Sequence, residues 1–289
     1  MTSQTFYFPE SKIRSPYQNL AIEEAISLNM NKFNLMGGVR LWRNPRTIVL
    51  GLSENPKLTI KEHIIDRFVN GKHELTKNRD FASDFTYIAR RASGGGTVFH
   101  DPSGNINYSI YVNLELRKEL FSVKDSYDIL LGIVRKSLAK QLIASESKGK
   151  SDITITEDGI LKKISGNAQF RKKNCIVQHG TLILQNRLID EVSEVLLHPP
   201  EEPDYRKARN HRDFLTSLPN SFDVQTFGKD LFDEFHSYLN TDLSQSKEDF
   251  SFFSRGFSSF RRSVLKDSEN IRKQKYESLS YILNREVIP

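Results

Sequence analysis

The sequence predicts an α+β fold, a mixed and largely antiparallel β-sheet with helices packed on it, and three observations carry that prediction. Short runs rich in β-branched and aromatic residues recur between Gly, Asn and Pro residues. Separate stretches place apolar residues at helical spacing on one face. Asp158-Gly159 and Arg171-Lys172-Lys173-Asn174 supply turns that join antiparallel neighbours. In chain order, Ser15 as N-cap, Pro16 at N1 and Gln18 at N3 form a capping-box pattern, and Tyr17, Leu20, Ala21, Ala25 and Leu28 follow on one helical face. Residues 39–42, 47–50, 87–90 and 105–112 are predicted strands, and the polar stretch 71–84 is expected to be an exposed insertion. Over 124–143, Tyr127, Leu130, Leu131, Val134, Leu138 and Leu142 share one helical face. Residues 153–156, the Asp158-Gly159 turn and the strand bearing Lys163 make one hairpin, and 168–171 with 176–184 make another. Helical spacing returns at Phe227, Leu231, Phe235 and Leu239. From Leu243 onward Phe250, Phe252, Phe253, Phe257 and Phe260 stand among serines, ahead of the basic 261–275; this aromatic run is expected to dock on the core.

With 289 residues the chain can bury a sizeable core without crosslinks. Its single cysteine, Cys175, excludes an internal disulfide framework and a multi-cysteine metal cluster, which fits a reducing compartment. Residues 1–15 lack a secretory pattern and no run of 18 apolar residues occurs, so a cytoplasmic protein without membrane spans is expected. The formal charge of +6 favours acidic partners, but the cations are scattered and neither zinc-finger spacing nor an RNP aromatic motif is present, so no nucleic acid is expected.

The most informative stretch is Arg90-Arg91-Ala92-Ser93-Gly94-Gly95-Gly96-Thr97-Val98-Phe99-His100-Asp101. A triple glycine lets a ligand lie against backbone N–H groups, and a neighbouring guanidinium binds phosphate or carboxylate. A second stretch, Lys162-Lys163-Ile164-Ser165-Gly166-Asn167-Ala168-Gln169, precedes His179-Gly180-Thr181-Leu182. Together with Asn19-Leu20-Ala21-Ile22-Glu23-Glu24-Ala25 and Leu41-Trp42-Arg43-Asn44-Pro45, these segments resemble the catalytic domain of the lipoate-protein ligase A family, within the lipoyl/biotin ligase superfamily. The resemblance covers roughly residues 12–240. It implies a biotin/lipoate ligase-like catalytic domain over 1–242, with 243–289 as a tail too short for the accessory domain of longer members. It also makes 71–84 longer than the family carries there.

The implied reaction joins lipoate to a protein lysine through lipoyl-AMP, with ATP and Mg2+. Its acceptors are lipoyl-carrying domains, such as E2 subunits of 2-oxoacid dehydrogenases or the glycine cleavage H protein, and a separate accessory subunit is a further implied partner. A carboxylate attacking an α-phosphate needs positive charge against like-charge repulsion and an anionic transition state. The resemblance places the family's catalytic lysine at Lys163, bridging acyl carbonyl and phosphate, while Lys162 projects to the opposite strand face. It assigns Arg91 to the phosphate or carboxylate and Ser93, Gly94, Gly95 and Gly96 to a slot for the acyl chain. His100 and Asp101 close the glycine turn, Asn105 reaches toward the nucleotide, and Asp152 stands near the phosphates or magnesium. For His100, and for His179 beside Gly180, the residues leave structural hydrogen bonding and substrate positioning both open. Ser165, Gly166 and Ala168 are small residues that suit either ligand approach or close strand packing, and Trp42 reads as core.

Three rivals remain at this level. Acyl transfer without ATP needs a nucleophilic thiol; the loop 148–153 has none, and Cys175 reads as a buried small hydrophobe. The glycine stretch resembles the biotin branch poorly. A non-catalytic module that binds lipoate or lipoyl domains is disfavoured by the presence of both Arg91 and Lys163. The Pro-rich 196–206 reads as an extended surface connection.

Overall fold

The computed structural model describes residues 4–9, 12–75, 85–240 and 257–287. In chain order the elements are β1 (Gln4–Phe8), α1 (Pro16–Asn29), β2 (Leu35–Trp42), β3 (Thr47–Leu50), α2 (Pro56–Thr59), α3 (Glu62–Leu75) and β4 (Tyr87–Arg90). Then follow β5 (Val98–His100), β6 (Asn105–Asn113), α4 (Val123–Ala139), β7 (Glu146–Lys148), β8 (Asp152–Glu157), β9 (Ile160–Lys172) and β10 (Cys175–Ile183). The chain ends through α5 (Arg187–Val195), α6 (His211–Phe214), α7 (Val224–Leu239), α8 (Ser258–Ile271) and α9 (Leu279–Asn284). The larger sheet runs β1-β2-β6-β10-β9-β8-β7, with β1 parallel to β2 and every other pair antiparallel. A three-stranded sheet, β4-β3-β5, stands beside it. The mixed, largely antiparallel α+β architecture predicted from sequence is the one observed.

Strand alternation gives the large sheet two different faces. Val39, Leu41, Ile106, Tyr108, Ile110, Ile153, Ile176 and Leu182 point to one side, where α4 and α7 cover them with Leu130, Val134, Leu138, Phe227, Leu231 and Phe235. On the other face, α1 and α8 cover Phe6, Phe8, Tyr111, Cys175 and Val177 with Ile22, Ile26, Phe260 and Val264. A further core joins α1, the small sheet, α5 and the C-terminal Tyr276, Tyr281 and Ile282. Among the described residues no helix is long and apolar enough to cross a membrane.

Several local expectations are corrected. Ser15 is the N-cap of α1 but its side chain caps nothing, and the Gln18 side chain donates to the Ser268 hydroxyl, 2.9 Å away on α8, so no capping box forms. α4 stops at Ala139; Leu142, expected on its apolar face, is 95% exposed with φ of 61°, and Ile143 takes the buried place. Residues 71–75 continue α3 rather than opening an insertion, and 76–84 lie outside the described residues. β2 begins four residues earlier than expected because β1, which the sequence reading did not find, pairs with it. Phe257 and Phe260 dock on the core as expected, whereas Phe250, Phe252 and Phe253 lie outside the described residues.

Candidate active site

Register places two rows of side chains on the face that α1 covers. Arg40, Ser109, His179 and Ala168 are cross-strand neighbours, and two residues along run Trp42, Asn107, Thr181, Gly166 and Asp152. Plain alternation from Ala168 and Gly166 would turn Lys163 to the opposite face. A β-bulge prevents this: Ser165 pairs with Ile153 and Lys163 pairs with Thr154, leaving Ile164 as the extra residue, which stays in the core. Lys163 therefore joins Gly166 and Asp152, and its Nζ lies 2.7 Å from Asp152 Oδ1. Its side chain crosses Gly166 so closely that a Cβ there would sit 3.0 Å from Nζ. Lys162, on the other face, pairs with Glu157 at 2.7 Å.

The glycine loop lies across this row. Gly95 has φ of +85°, and a Cβ on it would stand 3.9 Å from Ala168 Cβ and 3.1 Å from an Arg91 nitrogen. Gly94, Gly95 and Gly96 are exposed, and a Cβ on Gly94 or Gly96 would meet nothing within 4 Å. Arg91 is buried within the loop. Its Nε donates to Ser93 Oγ at 2.9 Å and to the Gly94 carbonyl, and its terminal nitrogens donate to Gly94 at 2.7 Å, Gly96 at 2.9 Å and Val49 at 3.2 Å. Burial lowers its pKa to about 10, so the guanidinium keeps its charge at neutral pH.

Ser93 leads to a contact that the sequence reading missed. Its hydroxyl is 2.6 Å from His179 Nε2, and His179 Nδ1 is 3.0 Å from Glu23 Oε1 of α1. Glu23, 1% exposed, also accepts from the Ser109 hydroxyl at 2.5 Å. Burial opposes its charge, but hydrogen bonds from His179 and Ser109 and the Arg40 guanidinium outweigh that and hold its carboxyl below the usual range. One sequence signal existed: Glu23 stands among Leu20, Ala21, Ile22, Ala25 and Ile26, which leave little of that helix to water.

The remaining sequence-derived residues hydrogen-bond or pack within the protein. His100 is neutral, its pKa lowered to about 3 by burial and then by the Arg91 charge; its Nδ1 meets the Asn44 amide at 3.1 Å. Asp101 accepts from the amides of Ser103 and Gly104 at 3.0 and 2.8 Å and pairs with Arg187, and its own amide donates to Asn105 Oδ1 at 2.8 Å. Asn105 spends its amide group on Asn107 and Thr181. Ser165 is fully buried, and Gly180 makes room for Asn167 and Tyr108, whose side chains cross it and hydrogen-bond to each other.

Residues 204–216, partly read as a surface connection, reach the lysine. Tyr205 donates to Asp152 Oδ2 at 2.7 Å, and burial followed by the Asp152 charge raises its pKa, so it stays a donor. The Phe214 ring has Arg206 4.7 Å from its centroid, Arg209 at 5.3 Å and Lys163 Nζ at 5.9 Å. The Thr216 amide donates to the Lys163 carbonyl at 3.0 Å. An open cleft of about 470 Å³ lies to one side of this segment, lined by Lys61, Ser193, Glu194, His198, Asn210, His211 and Arg212, and includes none of the residues singled out from sequence.

Lys163 thus faces an exposed glycine loop across a floor of small residues, with Asp152 as counter-charge. Among solved structures, an archaeal bipartite lipoate protein ligase from Thermoplasma acidophilum, described with its E2 lipoyl domain, superposes with a TM-score of 0.70 at 18% identity, covering 100% of this chain and 99% of that one. A lipoate-protein ligase A solved with ATP bound gives 0.61 at 18% identity, covering 98% and 99%. At that identity the likeness is one of fold. The lipoate-protein ligase A of Psychrobacter cryohalolentis is 33% identical over 179 residues, 61% of this chain and 42% of that protein's length. The profile of the lipoyl protein ligase A/B catalytic domain matches residues 15–236, a span holding the glycine loop, the bulged lysine strand and both Glu23 and His179, and the chain belongs to that family.

Proposed function

We propose that the chain is a lipoate-protein ligase: it converts lipoate and Mg-ATP to lipoyl-AMP and passes the lipoyl group to a lysine of a lipoyl-carrying domain. The observation that carries this reading is the bulge at Ile164, which turns Lys163 toward the glycine loop and gives it Asp152 as counter-charge. A carboxylate oxygen of lipoate attacks the α-phosphorus of ATP and pyrophosphate leaves. The acceptor amine then attacks the acyl carbonyl and AMP leaves. In both steps negative charge grows on oxygens around one centre, where the Lys163 ammonium moves from Asp152 to the phosphate and the carbonyl oxygen. The exposed Gly94–Gly96 edge admits the acyl chain.

Asp152 suits Mg2+, which takes one or two protein carboxylates and fills its remaining positions with phosphate oxygens and water. Among the described residues no group of three His, Cys, Asp or Glu side chains could hold a metal without such help. Tyr205 keeps Asp152 oriented while Lys163 moves. The relative with ATP bound and the ligase described with an E2 lipoyl domain support the choice of nucleotide and acceptor class. The thiol route loses its nucleophile, since Cys175 is fully buried beneath α1 and burial raises its pKa well above that of a free thiol. A cytoplasmic setting completes the proposal.

The test is mass spectrometry of a purified apo lipoyl domain after incubation with lipoate and Mg-ATP, or with preformed lipoyl-AMP, for wild type and Lys163→Ala. Modification with ATP that falls at least about 100-fold in the variant is expected. Modification from lipoyl-AMP alone assigns activation to an accessory partner, and none under either condition overturns the reading.

A further inference from the structure

Arg91 reads from sequence as an anion ligand, yet its nitrogens turn inward to Ser93 Oγ and to the carbonyls of Gly94, Gly96 and Val49. That arrangement orients the loop. In a trans peptide the C=O and N–H point opposite ways, so with the Gly94 and Gly96 carbonyls on Arg91, the amides of Gly95 and Thr97 point away from it. The far side is where the three glycines are exposed and where added Cβ atoms on Gly94 and Gly96 would meet nothing.

Ser93 fixes the start of the loop. Its carbonyl accepts from the Leu52 amide at 2.8 Å, and its hydroxyl oxygen accepts from Arg91 Nε. The hydroxyl proton then has His179 Nε2, 2.6 Å away, as its acceptor. This assigns the His179 proton to Nδ1, which faces both Glu23 oxygens at 3.0 and 3.2 Å. Every member is buried: Glu23 is 1% exposed, His179 7%, Ser93 1% and Arg91 7%. The chain has one direction, Ser93 to His179 to Glu23, and the helix-borne carboxylate anchors it.

We propose that Glu23, His179 and Ser93 form a buried relay that locks Arg91 into the glycine loop, so that the amides of Gly95 and Thr97, rather than the guanidinium, face the anionic part of the acyl-adenylate. Glu23 is then a positioning residue for a ligand it does not touch. The proposal deepens the ligase reading and rests on it for the ligand, though not for the lock.

Two measurements on the full chain test it. The first is titration calorimetry with a non-hydrolysable lipoyl-adenylate sulfamate. Glu23→Gln and Ser93→Ala should each weaken binding at least tenfold, and the double variant should bind within threefold of the weaker single, because both break one relay. Glu24→Gln, the neighbouring carboxylate outside the relay, should bind as wild type does despite lower stability. Wild-type affinity in Glu23→Gln, or multiplying effects in the double variant, overturns the proposal. The second is amide hydrogen exchange of 94–97 without ligand, which should quicken at least tenfold in Glu23→Gln and not in Glu24→Gln; unchanged exchange overturns the lock. If wild type fails to bind the sulfamate, the ligase reading falls and the exchange result still decides the relay. Should Glu23→Gln not fold, His179→Gln with Ser93→Ala is measured in its place with the same outcomes.

Discussion

Glu24 joins the C-terminal helices to the rest of the molecule, and replacing it with Gln tests that joint. Its carboxyl is 3% exposed, with Lys172 on Oε1 and both Lys275, at 2.7 Å, and the Tyr276 hydroxyl, at 2.6 Å, on Oε2. Gln has the same shape but a single acceptor oxygen. Its best orientation gives that oxygen to Lys275 and Tyr276 and turns its NH2 group toward Lys172, which is 41% exposed and swings into water. The Lys172 pair then costs only about 0.5 kcal/mol. The two bonds on Oε2 change from charge-assisted to neutral, bringing the whole loss to about 2 kcal/mol, or about 5 °C in Tm. pH supplies a second check. Burial raises the Glu24 pKa, but Lys275, Lys172 and Tyr276 outweigh it and leave the folded-state pKa below the ordinary value. A depressed folded pKa gives stability that is full above the unfolded pKa of about 4.3 and is lost as pH falls through the folded value. The gap between wild type and Glu24→Gln should therefore be constant near neutrality and close below about pH 4. Urea titrations at pH 7 and over the acid range measure both. A neutral-pH loss under about 0.5 kcal/mol, or a gap that does not narrow in acid, refutes the argument.

Gly95→Ala places a Cβ at φ of +85°, 3.1 Å from an Arg91 nitrogen, so it should cost about 1–2 kcal/mol in urea melts. Gly94→Ala, with nothing near its Cβ, should cost less than half of that. Cys175→Ala should leave lipoyl transfer within about threefold of wild type and cost about 1 kcal/mol of stability, because the thiol is core; a larger loss of transfer would reinstate a thioester route.

Much of the fold was legible because its signals are local. β3 and β4 run over 47–50 and 87–90 as predicted, since each apolar run is bounded by Pro, Gly or polar residues. The turns at Asp158-Gly159 and Lys173-Asn174 show in their positive φ values of 50°, 75°, 50° and 57°. The site was less legible, because its geometry depends on register. Counting alternate residues back from Gly166 puts Lys163 on the wrong face, and the bulge that corrects this appears only once β8 is paired beside β9. The reach of 204–216 to the lysine had no local sign either: the Pro-rich, charged run 196–206 reads as a surface connection, and only the fold shows the Lys163 carbonyl accepting from Thr216. Glu23 meets its partner His179 across 156 positions, beyond any local window.

Two doublets show how one sequence motif divides into two jobs. Glu23 and Glu24 are adjacent on α1, so about 100° of helical rotation separates them. The first turns to the sheet and the Ser93–His179 pair, the second to Lys275 and Tyr276 of the C-terminal segment. Arg90 and Arg91 are adjacent in extended chain, so they point opposite ways. Arg91 takes the carbonyls of the glycine loop, while Arg90 takes those of Tyr281, Ile282 and Leu283 on one side and Gly51, Leu52 and Glu54 on the other. The 51–54 turn touches the glycine loop in its own right: a Cβ on Gly51 would collide with the Gly95 carbonyl, and Thr97 donates to Glu54 at 3.1 Å. In each doublet one residue shapes the loop and the other ties the C-terminal helices to the same element. Docking of 272–284 and the shape of the glycine loop thus meet at adjacent residues, Arg90 holding the first and Arg91 the second.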